Sequence, residues 1–280
     1  MFYQAKNMQD KIEFLKKKSR EIRLRVLDTI SEALKGHIGG TYSCVDILVA
    51  LYYGNILCFR SKDPKWQRRD RFIIGKGHAC LAFYHIWIDL GFLDVSKIKD
   101  YGKNGSILGG QLHISTAGAE YNSGSLGHAV GIGAGMSLAA KMDKKDYKVF
   151  FLIGDGECAE GSIWESVMFS ANHKLNNLIG IVDRNRLSVT DVIEKDDGSG
   201  SLEGKFKACG WKVININGHS FGEILSAFRN LDRLRQPLMI VADTVKGKGV
   251  SFMENGTKWH HGIPTKEEFE LARGELERQL

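Results

Sequence analysis

The sequence predicts an α/β fold: a doubly wound, mostly parallel sheet flanked by helices. Three observations predict it. Short apolar runs alternate with helical stretches through most of the chain. The runs at 149–153 and 178–182 are almost wholly apolar, as strands covered on both faces of a parallel sheet must be. Four of the runs, ending at 74, 153, 182 and 242, lead into segments holding Gly, Asp, Asn, Lys or His. Ligands sit beyond the carboxyl ends of such strands, so those segments form one chemical rim.

The elements follow in order. Ile12, Leu15, Ser19, Ile22, Val26, Ile30 and Ala33 recur at spacings of three and four, giving a helix over about 10–35 with Asp10 as its N-cap. Its Lys16, Lys17, Lys18, Arg20, Arg23 and Arg25 read as a solvated face, because no aromatic interleaving or nucleic-acid motif accompanies them. Strands are expected at Arg71–Ile74, Lys148–Ile153, Leu178–Val182, Trp211–Ile216 and Leu238–Ala242. Helices are expected at Leu81–Leu90, Leu126–Met142, Gly161–His173 and Phe221–Leu231. Asp196–Ser201 reads as a loop, and the chain closes on a charged helix over about 265–280. Without repeats or low-complexity tracts, residues 1–280 read as one domain.

Composition excludes several classes. With 43% hydrophobic and 26% charged residues in 280, the chain is no disordered polymer. Its longest apolar run, Leu126 to Ala140, falls short of the roughly 20 residues that span a bilayer. The charged opening from Met1 to Arg25 is unlike a signal peptide. Five scattered cysteines form no C-x-x-C pair and read as reduced thiols of a cytoplasmic protein. The net charge of +6 suits anionic ligands without locating them. Thirty-two glycines gather in short knots, among them 75/77, 124/127 and 154/156, as expected where backbone wraps closely around a ligand.

The chemistry concentrates at the second and third segments of the rim. Gly154-Asp155-Gly156 closes one strand and turns into the helix holding Glu160, and thirty residues later the next strand ends in Asp183-Arg184-Asn185-Arg186-Leu187. One strand–helix–strand unit separates Asp155 from Asn185, so both reach the same edge. A carboxylate, a carboxamide and the Leu187 carbonyl are hard oxygen ligands for Mg²⁺ (with Ca²⁺ or Mn²⁺ as substitutes), the octahedron being completed by water and two diphosphate oxygens. The Gly156 amide is positioned to donate to the same diphosphate. A G-D-G followed after such a unit by N is the pattern of a thiamin diphosphate site.

The chain resembles the transketolases, over nearly all its length but only over their N-terminal, diphosphate-binding half. Gly36-His37 resembles the family's early G-H, whose histidine faces substrate. Asp70-Arg71-Phe72 with Gly75-Lys76-Gly77-His78 resembles D-R-F…S-K-G-H, whose histidine meets the diphosphate. Ser123-Gly124-Ser125-Leu126-Gly127 resembles T-G-S-L-G, and Gly154–Gly161 resembles G-D-G-E-x-x-E-G, whose last glutamate, here Glu160, couples subunits. Thr244–Gly249 resembles T-x-K-G-x-G, placing Lys246 near the diphosphate, and His261-Gly262-Ile263-Pro264 resembles H-G-x-P.

The resemblance therefore implies His78, Gly124, Leu126, Gly156, Glu160, Asn185, Lys246 and His261 as cofactor residues and Asp155, Asn185 and Leu187 as metal ligands. It implies His37, His261 and His113 as catalytic candidates. Two departures stand out: Ile38 where the family has Pro, and Gly109-Gly110-Gln111-Leu112-His113 where it has G-H-P, leaving Gln111 and His113 as alternatives for one substrate histidine. The pyrimidine-binding half, with its activating glutamate, has no counterpart here. The implied protein is the N-terminal subunit of a split transketolase, acting on sugars or sugar phosphates with a separate C-terminal subunit, in an α2β2 assembly. The alternatives are an α subunit of a thiamin-dependent 2-oxo acid dehydrogenase and a non-catalytic cofactor-binding subunit.

Overall fold

The computed structural model describes residues 6–187 and 200–278. Five parallel strands, β1 (Arg71–Ile74), β2 (Val149–Gly154), β3 (Leu178–Arg184), β4 (Lys212–Asn217) and β5 (Leu238–Asp243), lie in the order β1-β2-β3-β5-β4. All five expected strands are present within two residues of their expected ends. The helices are α1 (Met8–Ala33), α2 (Ile38–Tyr53), α3 (Cys80–Leu90), α4 (Ala129–Met142), α5 (Gly161–Asn172), α6 (Leu202–Ala208), α7 (Phe221–Ala227) and α8 (Lys266–Arg278).

Direction of travel explains the double winding. The chain advances across the sheet from β2 to β3 and from β3 to β4, then steps back to β5. Right-handed crossovers fix the helix face by that direction. Accordingly α5 and α6 share a core with α4 through Ile163, Val167 and Phe206, against Ile73, Phe151, Val182 and Val241 of the sheet. On the other face α7 joins α1, α2 and α3 against Ile74, Phe150, Leu152, Ile181 and Ile240. Alternate residues of β2 thus point into opposite cores, which is why its sequence is apolar throughout.

Several expectations need correction. The N-cap of α1 is Asn7, whose side chain accepts from the Asp10 amide, so the helix starts a turn earlier than expected. The expected 126–142 helix begins at Ala129, because Gly127 (φ 85) still belongs to the preceding loop. The Phe221–Leu231 helix stops at Ala227, and Asn230 turns left-handed (φ 60). Helix α2 is absent from the expected elements: every residue from Ile38 to Tyr52 is buried, so it shows no polar face to give it a period. Of the expected 196–201 loop, 196–199 lie outside the described residues, as does the end of the terminal helix beyond 278. No described helix is long and apolar enough to cross a membrane, and the five cysteines are free thiols.

The centre of β3 tolerates no side chain at Gly180. An added Cβ would lie 2.6 Å from the Met239 methyl and against the Phe151 ring, both fully buried. Gly180→Ala is expected to cost about 1–3 kcal/mol by overpacking, read as a fall of several degrees in Tm. An unchanged Tm would show that this core is looser than described.

Candidate active site

The site is built where strands end. Gly154 pairs with Asp183 across β2 and β3, and Arg184 pairs with Asp243 across β3 and β5. The segments 75–78, 154–157, 185–187 and 244–246 therefore leave the sheet side by side. With Gly40 of α2 and His260, they line a cavity of about 160 Å³ containing Lys76, His78, Leu126, Asp155, Gly156, Glu157, Asn185, Leu187 and Lys246. A larger cleft, about 780 Å³, opens at the opposite end of the strands around Asp70 and Lys148 and holds none of these groups.

Asp155 and Asn185 share one corner. Asp155 Oδ2 accepts from the Arg186 amide at 2.5 Å and Oδ1 from the Gly156 amide at 2.9 Å. The Asp155 amide reaches the Asp183 carbonyl at 3.3 Å. Arg186 holds a left-handed backbone (φ 61), uncommon for a residue with a side chain and a form of strain that clusters at functional sites. The turn presents the Arg186 amide to Asp155, while the Leu187 carbonyl accepts from Lys246 Nζ at 3.3 Å. Burial and the neighbouring Asp183 push the Asp155 carboxyl up to about 6.

These residues fit a hard cation. They offer a carboxylate, a carboxamide oxygen and a main-chain carbonyl to one cavity, and among the described residues no His/Cys/Asp/Glu group of three or more suggests a softer metal. A diphosphate fits beside it, against Lys246, His78 and His260. Burial, together with Lys76, draws Lys246 down to about 8, so it remains mainly charged at pH 7 and a bound anion would raise it again. Its loop is fixed from behind: Gly247 N donates to the Gly39 carbonyl at 3.0 Å, and Val245 N to His219 Nε2 at 2.9 Å. That acceptor role leaves the proton on Nδ1, which meets Asp46 at 2.7 Å. Asp46 in turn binds Arg23 through two bonds of 2.9 Å.

A histidine cluster roofs the cavity. The His37 ring lies 4.1 Å from His261, 5.2 Å from His78 and 5.6 Å from His260, centre to centre. Burial, His261 and Lys246 draw His37 down to about 4, and burial with Lys246 does the same to His260. His78 is likewise held well below its ordinary value by burial and Lys76. All three are neutral at pH 7. His37 Nδ1 and Gln111 Oε1 are buried without hydrogen-bond partners among the described residues.

The remaining expected residues divide. Leu126, 41% exposed, borders the cavity, whereas Gly124 (φ 140) is exposed and outside the lining. Gly156 opens a 3-10 turn (156–159) rather than α5, and its amide is engaged by Asp155 rather than free for a phosphate. Glu160 is the exposed N-cap of α5, beside Gly127 and outside the cavity lining. His261 is exposed, outside the cavity lining, and meets the ring of His37. His113 is not brought in: it is exposed and bonded to Ser115 at 2.8 Å, whereas Gln111 lies against Gly77 and Ser123.

Sequence reasoning missed four members. His260 lines the cavity, with Nδ1 2.9 Å from Lys246 Nζ; its place in the doublet His260-His261 was the available signal. Glu157 is buried and accepts from Gly127 N at 3.0 Å and Gly154 N at 3.2 Å, joining two glycine loops. Burial pushes its carboxyl up to about 7. Lys76, at the cavity wall, forms a buried ion pair with Asp183 behind it.

Comparison with known proteins agrees with this geometry. Residues 15–276 match the family model described as transketolase, thiamine diphosphate binding domain. An apulose-4-phosphate transketolase subunit of Phocaeicola vulgatus is 41% identical, over 96% of this chain and 96% of that one. The 6-deoxy-6-sulfo-D-fructose transketolase subunit SqwG of a Clostridium species is 33% identical, over 95% and 97%. Human transketolase is 34% identical over 90% of this chain but only 40% of its own. The crystal structure of Campylobacter jejuni transketolase superposes with a TM-score of 0.90 at 30% identity, covering 95% of this chain and 43% of that one. The chain thus spans about two fifths of the full-length transketolases it matches. Sequence, fold and site agree that the chain belongs to the transketolase family and carries its thiamine diphosphate-binding domain.

Proposed function

We propose that this chain is the N-terminal subunit of a split transketolase in the cytoplasm, supplying the diphosphate half of a site that a C-terminal, pyrimidine-binding subunit completes, in an α2β2 assembly. The reaction moves a two-carbon ketol unit from a ketose to an aldose. The observation that carries this reading is the convergence of Asp155, Asn185 and Leu187 with Lys246, His78 and His260 on one cavity. Two relatives covered almost end to end, both named as transketolase subunits, support the division into separate chains.

Asp155, Asn185 and the Leu187 carbonyl would hold Mg²⁺, and Lys246, His78 and His260 the diphosphate. Thiamin diphosphate, when bound, supplies a nucleophilic carbon and an electron sink. The protein's part is placement and proton traffic. His78 and His260, neutral at pH 7, donate hydrogen bonds without adding charge beside Lys246. His37 and His261, ring against ring at the outer edge, face where a sugar's hydroxyls enter, and the neutral His37 imidazole can accept a hydroxyl proton and return it. The exposed face of α4 and α5, with Gly131, Gly135, Met168 and Phe169 uncovered, is the surface offered to other subunits. The relatives' names point to specialised sugars, and Gln111, in place of the family's histidine, supports a substrate of that kind.

The test is reconstitution. The purified chain alone is expected to show no ketol transfer. With a pyrimidine-domain transketolase subunit it should gain ketol transfer at least 100-fold above either part, and no 2-oxo acid decarboxylation. Turnover by the chain alone, or decarboxylation by the pair, would refute the assignment.

A further inference from the structure

We propose that Asp183 is the positioning residue of the cation site, a buried carboxylate that sets which face of the Asn185 carboxamide meets the cavity and pins Lys76 beneath it.

Asp183 is fully buried at the end of β3, two residues before Asn185. Its Oδ2 accepts from Lys76 Nζ, from Ser43 Oγ at 2.6 Å and from Asn185 Nδ2 at 3.5 Å, and its Oδ1 accepts from Thr244 Oγ1. The contact to Asn185 is the longest of these, yet its sign decides the orientation. With Nδ2 toward the carboxylate, Oδ1 lies on the other side, where it accepts from Leu187 N at 3.2 Å and keeps a lone pair for a cation. A flipped amide would set Oδ1 against the Asp183 carboxylate and turn two N–H donors toward the ion. Low dielectric makes that repulsion costly.

Lys76 is arranged for support rather than for contact with ligand. Its ammonium has three protons and three acceptors: the Gly40 carbonyl at 2.8 Å, Ser43 Oγ at 3.3 Å and Asp183. Although it borders the cavity, it has no donor left for a phosphate. Its role is to balance Asp183, so that the site presents to a cation the charge of Asp155 and not of two carboxylates. Ser43 and Thr244 come from α2 and the loop after β5, so one carboxylate ties three parts of the molecule to the Asn185 turn.

The inference rests on the cation-site reading above, and the experiment separates the two. Mn²⁺ binding in the presence of inorganic pyrophosphate is measured by electron paramagnetic resonance on the full chain, with Tm recorded in parallel. The wild type should bind; failure to bind sinks the cation site itself. Asp183→Asn leaves Lys76 unpaired and is expected to lose both Tm and affinity. The double variant K76M/D183N removes both charges, so net charge is kept. It should recover most of the Tm yet bind Mn²⁺ at least tenfold more weakly than wild type. Thr244→Val, which removes one hydroxyl and no charge, should weaken binding about threefold or more with the fold retained. Wild-type affinity in either folded variant overturns the proposal, since a purely structural Asp183 predicts that affinity follows Tm.

Discussion

Asp155→Ala is expected to lower the affinity for thiamin diphosphate with Mg²⁺ by on the order of 100-fold or more, beyond the 10–100-fold typical of losing an outer-shell partner of a metal site. Ketol transfer by the assembled enzyme should fall to background. The ligand-free protein should behave in the opposite way. The Asp155 carboxyl titrates near 6 in the folded chain, above the ordinary value of 3.8, because burial and Asp183 oppose its charge. A carboxyl raised on folding contributes stability at low pH that is lost as pH rises through the folded value. At pH 8 its ionised form therefore costs about 3 kcal/mol, an upper figure. Removing it relieves that cost and forfeits the bonds to Arg186 and Gly156, so Tm without ligand should hold or rise. The same titration predicts that wild-type cation affinity falls below about pH 6, approaching tenfold per pH unit, as protons compete for the ligand. Calorimetric titration between pH 5 and 8 checks it. A flat profile, or unchanged binding in the alanine variant, would remove Asp155 from the cation site.

The second large effect concerns the adjacent histidines. His260 lies at the cavity against Lys246, whereas His261 is exposed and meets His37. His260→Ala is expected to weaken thiamin diphosphate binding about tenfold, through loss of one phosphate-side donor and a gap beside Lys246. His261→Ala should leave that binding within about twofold and lower kcat/KM by on the order of 100-fold, the lower end for a positioned acid–base group. Cofactor titration and steady-state kinetics of the assembled enzyme separate the two. The reverse assignment, with His261 holding cofactor, would mean the H-G-x-P spacing located the cofactor histidine better than the geometry does.

Much of this was legible in the sequence because strands buried on both faces write themselves as continuous apolar runs. β2 and β3 gave both the sheet and, at their ends, Asp155 and Asn185. Lys246 and His78 came instead from the resemblance to the transketolases, carried by glycine-rich turns at strand ends that leave a recognisable signature. Helix α2 was invisible because periodicity reports a polar face, and this helix has none. Glu157 and Asp183 were missed because burial of a carboxylate is a tertiary fact, decided by Gly127, Gly154, Lys76 and Ser43 arriving from elsewhere in the chain. Gln111 and His113 lie two residues apart, and only the path of the loop turned one inward and the other to solvent.

Helix α1 never touches the cavity, yet it belongs to the machinery. Arg23 grips Asp46, Asp46 holds His219, and His219 receives the Val245 amide next to Lys246. Four residues drawn from distant stretches of chain thus act as a tie-rod running from the outermost layer to the working edge. Loss of the Arg23 guanidinium would slacken the lysine without altering a single group that lines the cavity, so damage far from the working edge would be felt there.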